Sequence, residues 1–237
     1  MKKNRQKHRM FLAEGKKLTQ EALDSDVRIE AVICREDQLT WGQELKLGEI
    51  PLMMAEQQQF DQLHDLQQAE GVLAVIHLPA YLKEQMIPTQ ATLLLEEIQD
   101  PGNMGTLIRT ADWFGIRNIF CSKGCVDVYN PKVLRASMGS IFRVKVNYLA
   151  DWEEGLSGMM DRLYIAHMEG KSLDQLELSP DSCILIGNEA RGVKEEWLTH
   201  PKVNKVAIPG VKGAESLNAA VAGSVLMWEW FKQHNKE

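Results

Sequence analysis

"DPGNMGTLIRTADWFG", residues 100–115, follows the apolar run "ATLLLEEI" (91–98) after a single Gln99 and packs a turn signal, an asparagine, three glycines and an arginine into sixteen positions. Asp100, Pro101 and Gly102 carry turn chemistry, and Asn103 suits the N-cap of a helix beginning there. Met104, Leu107, Ile108 and Ala111 keep the i, i+3, i+4, i+7 spacing of a buried stripe. Arg109 faces away from that stripe, about one turn beyond Gly105, whose bare backbone would lie beside the guanidinium. From residue 91 onward, strands and helices alternate: "RNIFCS", a helix around "PKVLRASMGSIF", "VKVNYL", a helix over "DWEEGLSGMMDR", then "LYIAHM", "CILIG", "KVAIP" and a final helix. This alternation predicts an α/β fold with a mainly parallel sheet and helices on its faces. In such sheets ligands collect at the carboxyl ends of the strands.

Upstream of residue 80 the pattern is that of a smaller α/β unit: a helix "KKLTQEALDS", strands "IEAVICRE" and "PLMMA", a polar helix "EQQQFDQLHDLQQ" and a strand "GVLAVIHLP". The aperiodic "AYLKEQMIPTQ" reads as a linker, dividing the chain into 1–80, 81–90 and 91–237. With 237 residues, 44% hydrophobic and 25% charged, the chain has the profile of a globular protein that can bury a core. No apolar run reaches the ~18 residues of a membrane helix, and "MKKNRQKHRM" lacks the apolar core of a signal peptide, so a cytoplasmic, membrane-free location is expected. Cys34, Cys121, Cys125 and Cys183 form no C-x-x-C pair and no metal set, which predicts reduced structural thiols and no metal. Charge is uneven: residues 1–17 hold seven Lys/Arg against one Glu, while the other 220 residues carry −12. Such a basic segment is either a solvated terminus or an arm that contacts RNA.

The chain contains no G-x-G-x-x-G, no phosphate-binding G-x-x-x-x-G-K-[ST], no H-E-x-x-H and no G-x-S-x-G. What remains are three polar, glycine-bearing segments that each follow an apolar strand: "QDPGNMGTLIR", "GNEARGV" and "PGVKGAESLN". Glycines placed there let the backbone approach a ligand closely.

In this order, and with "NPKVLRASMGSIFRV" between the first two, the three segments resemble the motifs of the SpoU family of RNA ribose 2'-O-methyltransferases, within the SPOUT superfamily. "FLAEGKKLTQEAL" is similar to the start of that family's ribosomal-protein-like substrate-binding domain. The resemblance implies an S-adenosylmethionine-dependent enzyme with a C-terminal trefoil knot, acting as a homodimer whose active sites lie at the subunit interface. It implies Asn103, Arg109, Glu189, Ser216 and Asn218 as catalytic-site residues. It also places Gly170, Ile186, Gly187, Ile208, Ser216 and Leu217 at the cofactor. Family members are commonly assigned the matching arginine as general base. A guanidinium is a poor base, so Arg109 is expected to bind phosphate and to stabilise the developing alkoxide. Glu189 is expected to orient Arg109 or another cation. Asn103 serves either as a helix cap or as an active-site hydrogen bonder, and Ser216 has the same two readings. Gly210 stands where the family has Met, and Lys212 where it has Gly, with the glycine displaced to 213.

On the RNA side the candidates are Lys2, Lys3, Arg5, Lys7 and Arg9 of the basic segment. Arg135 is either a phosphate contact or a solvent-facing helical residue, beside Lys132 and Arg143. The substrate-binding type of first domain points to ribosomal RNA ahead of transfer RNA. A catalytically silent RNA-binding protein of the same fold is the alternative, and the intact polar set argues against it. The final helix, apolar around its circumference at Val221, Leu226, Met227, Trp228 and Trp230, is expected to be buried on every side, either within one subunit or between two.

Overall fold

The computed structural model describes residues 2–63, 69–79, 89–211, 213 and 216–235, with the side chain of Lys2 left out. The end of the polar helix (64–68), most of the linker and Lys212 thus lie outside the described residues.

The chain opens with α1 (Lys2–His8), β1 (Met10–Glu14), α2 (Lys16–Leu23), β2 (Ile29–Arg35), α3 (Leu39–Gln43), β3 (Leu52–Ala55), α4 (Gln57–Asp61) and β4 (Val72–His77). These strands form a sheet in the order β1-β4-β2-β3. The second unit adds β5 (Thr92–Leu95), α5 (Pro101–Trp113), β6 (Asn118–Cys121), α6 (Pro131–Ser137), β7 (Lys145–Tyr148) and α7 (Trp152–Ser157). It finishes with β8 (Leu163–Ser172), β9 (Cys183–Ile186), α8 (Glu195–Leu198), β10 (Asn204–Ala207) and α9 (Ala219–His234). All six of its strands pair in parallel, in the order β10-β8-β9-β5-β6-β7. The central strands β5 and β9 are buried at every position, which fits continuous apolar runs covered on both faces. All four cysteines are free thiols. The bond to Cys125 and full burial push the Cys121 thiol well above its usual pKa, and burial raises Cys183 to about 11.

The basic terminus is not an arm. Residues 2–8 are helical, and β1 is an edge strand of the first sheet that buries Phe11 and Ala13. Arg5 reaches across to Asp127 of the second unit at 2.7 Å, with only 13% of its side chain exposed, so it ties the two units together. Arg135 is turned in the same way, with Nη1 3.7 Å from Glu14 Oε2. Arg143 binds Asp112 at 2.8 Å and also Glu21, while Phe11 stacks near Tyr129 and Phe142. Three ion-pair ties and an aromatic cluster therefore hold the first unit against α6 and its flanks. Asp127→Asn should cost about 1.5–3 kcal/mol, the range for a hydrogen bond to a charged group, read as a shift in the denaturation midpoint. An unchanged midpoint would make the Arg5 tie incidental.

Gly105 also departs from expectation. It is buried where α5 crosses α6: a Cβ there would overlap the Ala136 side chain and stand 3.0 Å from the Ser137 amide. Its missing side chain serves helix packing, not the neighbourhood of a guanidinium.

Candidate active site

After β5 the chain builds outward through β6 and β7, then crosses to the other side for β8 and β9, so the strand order reverses between β5 and β9. Leu95 and Ile186 pair at the carboxyl ends of those two strands, and the ladder continues through the Glu96 amide, which donates to the Ile186 carbonyl at 2.9 Å. The first two glycine-bearing segments leave the sheet at this switch point, where open parallel sheets place ligands.

Helix α5 begins two residues earlier than expected. Asp100 is its N-cap, accepting the Asn103 amide at 2.8 Å, and Pro101 takes the first helical position, where a missing N–H costs nothing. Asn103 is therefore not the cap. Its side chain is free to donate from Nδ2 to Glu189 Oε1 at 3.0 Å and to accept from Asn218 Nδ2 at 2.9 Å. Asn218 in turn caps α9, its Oδ1 accepting the Ala220 and Val221 amides at 2.8 and 3.3 Å. One hydrogen-bonded chain, Glu189–Asn103–Asn218, joins all three segments across 115 residues of sequence.

Glu189 also accepts from the Asp100 and Gln99 amides at 3.3 and 3.5 Å. It does not orient Arg109: its contacts are Asn103 and these backbone amides. Arg109 is exposed and bonds to no other described residue, so its charge is uncommitted. Ser216 is exposed and is not a cap, since Asn218 does that work.

The expected cofactor positions fall into two groups. Gly170 and Gly187 are needed by the chain itself: a Cβ on Gly170 would stand 2.6 Å from the Lys205 carbonyl oxygen, and one on Gly187 would stand 2.5 Å from the Val193 amide. At Gly170 the β8–β10 register jumps, with Lys205 opposite Ile165 and Val206 opposite Lys171. Ile186 is buried and Ile208 half-buried, whereas Leu217 is 51% exposed. The amides of Ile208, Gly210, Val211, Ser216 and Leu217 donate to no other described residue.

Sequence reasoning missed Asp100, Glu96 and Glu97 here. Asp followed by Pro is an N-cap and first-turn pair that was open to recognition. Glu96 is 2% exposed, with its carboxylate accepting the Trp152 and Trp197 indoles at 2.9 and 3.0 Å and the Lys194 amide at 3.1 Å. Such long-range convergence leaves no local signal.

A parallel α/β sheet whose glycine-bearing loops meet at its switch point has the architecture in which α/β proteins hold ligands. The chain matches the SpoU rRNA Methylase family over residues 90–228 and the MRM3-like substrate binding domain over residues 1–74. It belongs to the SpoU rRNA methylase family. It is 31% identical to the 23S rRNA (guanosine(2553)-2'-O)-methyltransferase RlmP of Bacillus subtilis, covering 96% of this chain and 90% of that one. Human mitochondrial rRNA methyltransferase 3 is 27% identical over 97% of this chain and 69% of its own. Among solved structures, a TrmH-family protein from Porphyromonas gingivalis aligns with a TM-score of 0.85 at 30% identity, covering 97% and 92% of the two chains. The SpoU methyltransferase AviRb from Streptomyces viridochromogenes, in complex with AdoMet, aligns at 0.84 and 24% identity, covering 98% and 93%, and so shares the fold.

Proposed function

We propose that this protein transfers a methyl group from S-adenosylmethionine to a ribose 2'-hydroxyl of structured RNA, ribosomal RNA ahead of transfer RNA. The observation that carries the proposal is the Glu189–Asn103–Asn218 chain, which gathers the three family segments at the head of the helix that bears the exposed Arg109. The names of the Bacillus and human relatives support ribosomal RNA as the substrate.

The residues present fit the cofactor. The main-chain amides of Ile208, Gly210, Val211, Ser216 and Leu217, which donate to no other described residue, offer donors to a polar purine edge, and Ile208 and Leu217 offer apolar surface to its faces. Ile186, Gly187 and Gly170 complete that side. When bound, the sulfonium supplies an electrophilic methyl. Arg109 binds the phosphate beside the target ribose and stabilises negative charge on the attacking oxygen. Asn103, fixed from both ends by Glu189 and Asn218, is oriented for a single hydrogen-bonding role, and Ser216 adds a hydroxyl on the third loop. Alignment and exclusion of bulk water lower the barrier without a strong base; as the O–CH3 bond forms and the S–CH3 bond breaks, the sulfonium leaves as a neutral thioether and the 2'-hydroxyl proton passes to solvent. Titration calorimetry tests the cofactor directly: binding is expected, and no heat at millimolar S-adenosylmethionine would remove the enzyme reading.

Residues 1–80 act as the RNA-binding domain and 91–237 as the transferase, joined through 81–90; the C-terminal part carries the family's knot. Lys3, Lys7 and Arg9 are exposed and serve as phosphate contacts; the Lys2 side chain lies outside the described residues. Arg5 and Arg135 instead hold the domains together. Lys3→Ala with Lys7→Ala should lower the slope of log affinity against log salt by about 1.5–2, leaving cofactor binding unchanged. An unchanged slope would place the RNA surface elsewhere.

The active form is a homodimer. Helix α9 buries Ala220, Gly223, Leu226 and Met227 but leaves Val221 48% and Trp228 49% exposed, with Trp113 82% exposed and Phe114 packed beside Trp228. One chain alone thus fails to cover a helix that is apolar all round, and a second copy would do so. Sedimentation is expected to give a dimer, and Trp228→Arg a monomer; a wild-type monomer at micromolar concentration would contradict this. Among the described residues no helix is long and apolar enough to cross a membrane.

A further inference from the structure

Glu97 sits at φ 53°, in the left-handed region that a residue with a side chain adopts only at a cost. Three groups hold it there. Its amide donates to Ser122 Oγ at 2.9 Å, its carbonyl accepts Asn188 Nδ2 at 2.9 Å, and its carboxylate pairs with Arg191. Gly124 leaves the room its side chain needs, since a Cβ there would stand 2.7 Å from Glu97 Cγ. Two of the three partners belong to the loop after β9. That loop is closed on itself: Asn188 and Gly192 exchange backbone hydrogen bonds at 3.0 and 2.9 Å, and Asn188 Oδ1 accepts the Ala190 and Arg191 amides at 3.0 and 3.1 Å. Glu189 reaches back from the same loop to Gln99, Asp100 and Asn103. Each loop therefore grips the other, with Glu97 reaching in one direction and Glu189 in the other.

We infer that Glu97 is a positioning residue: through its left-handed backbone, the Asn188 contact and the Arg191 pair, it sets the 187–193 loop and so aims Glu189 at Asn103. This rests on the function proposed above. A residue kept only for the fold would be cheaper as glycine at this φ. Arg191 is 67% and Glu97 33% exposed in their pair, so the pair contributes little to stability and fits a geometric purpose.

The test compares Glu97→Gly, Arg191→Ala and the double variant, together with the swap Glu97→Arg/Arg191→Glu. Glu97→Gly relieves the strained backbone, so its melting temperature should hold or rise. Amide hydrogen exchange at Asn188, Ala190, Arg191 and Gly192 in the free protein should nonetheless quicken about twofold to fivefold, the reach of one partly exposed ion pair, since glycine keeps the main-chain contacts. Dissociation constants for S-adenosylmethionine should rise by a similar factor, the double variant should be no worse than the poorer single one, and the swap should recover part of the loss. Wild-type exchange and affinity in Glu97→Gly would overturn the inference. So would a lowered melting temperature with faster exchange throughout the chain, which is the behaviour of a residue serving the fold. If the wild type neither binds cofactor nor methylates RNA, the function fails, while exchange in the 187–193 loop still decides the clamp.

Discussion

Arg109→Ala is expected to lower methyl transfer by about a hundredfold to a thousandfold, the cost of removing one preorganised charge-stabilising group from a transition state. The fold should be untouched, because the side chain is exposed and bonds to no other described residue, and such surface changes stay within about 0.5 kcal/mol. Cofactor affinity should also hold, since the proposed cofactor surface lies on the loops after β9 and β10. Arg109→Lys separates a point charge from a planar fork: if the guanidinium grips a phosphate with two parallel hydrogen bonds, an ammonium cannot replace it, and turnover should stay severely reduced. Single-turnover rates with saturating RNA, beside calorimetry for the cofactor and circular dichroism for the fold, read all three quantities. Near wild-type turnover in both variants would remove Arg109 from the chemistry.

The second large effect is on stability. In Gly187→Ala the added methyl would stand 2.5 Å from the Gly192 carbonyl oxygen and the Val193 amide, both main-chain atoms that cannot rotate aside. Overpacking of this kind costs about 1–3 kcal/mol, and rigid neighbours put this site at the upper end. A loss near 3 kcal/mol corresponds to a fall of about 6–12 °C in melting temperature for a chain of this size. Cofactor affinity should fall with it, because the loop that must shift is the one bearing Glu189. Gly210→Ala is the matched control: among the described residues nothing lies within 4 Å of its Cβ position, and its stability should be unchanged. Equal melting temperatures for the two variants would mean that the crossing at Gly187 yields freely.

These two glycines show where the sequence was legible. A glycine following a strand signals close approach, and that inference holds at Gly187, but the approaching backbone is the chain's own at Gly192 and Val193. Periodicity could not distinguish a ligand from a second segment of the same chain. The strands β2 to β10 were readable because each is an apolar run between turn signals, and the parallel sheet followed from their alternation with helices. β1 was missed because "MFLAE" is short and adjoins a run of lysines and arginines whose charge suggested a solvated end; Phe11 and Ala13 nonetheless face the core. The same charges misled at Arg5, because a basic side chain on a helix looks identical whether it meets phosphate or Asp127. Asn103, Glu189 and Asn218 were identified from their motifs. Their mutual bonding was not, since partners 86 and 115 residues apart are set by the order of strands in the sheet.

Methyl transfer to a ribose is tested by incubating the purified protein with S-adenosylmethionine labelled in its methyl group and with separated ribosomal and transfer RNA, followed by nuclease digestion and mapping of the label. Label is expected in the ribosomal RNA, on a 2'-oxygen that leaves its neighbouring phosphodiester resistant to alkali, and is expected to be lost in Arg109→Ala. Label on a base, or none in either RNA from a folded protein that binds the cofactor, would contradict it.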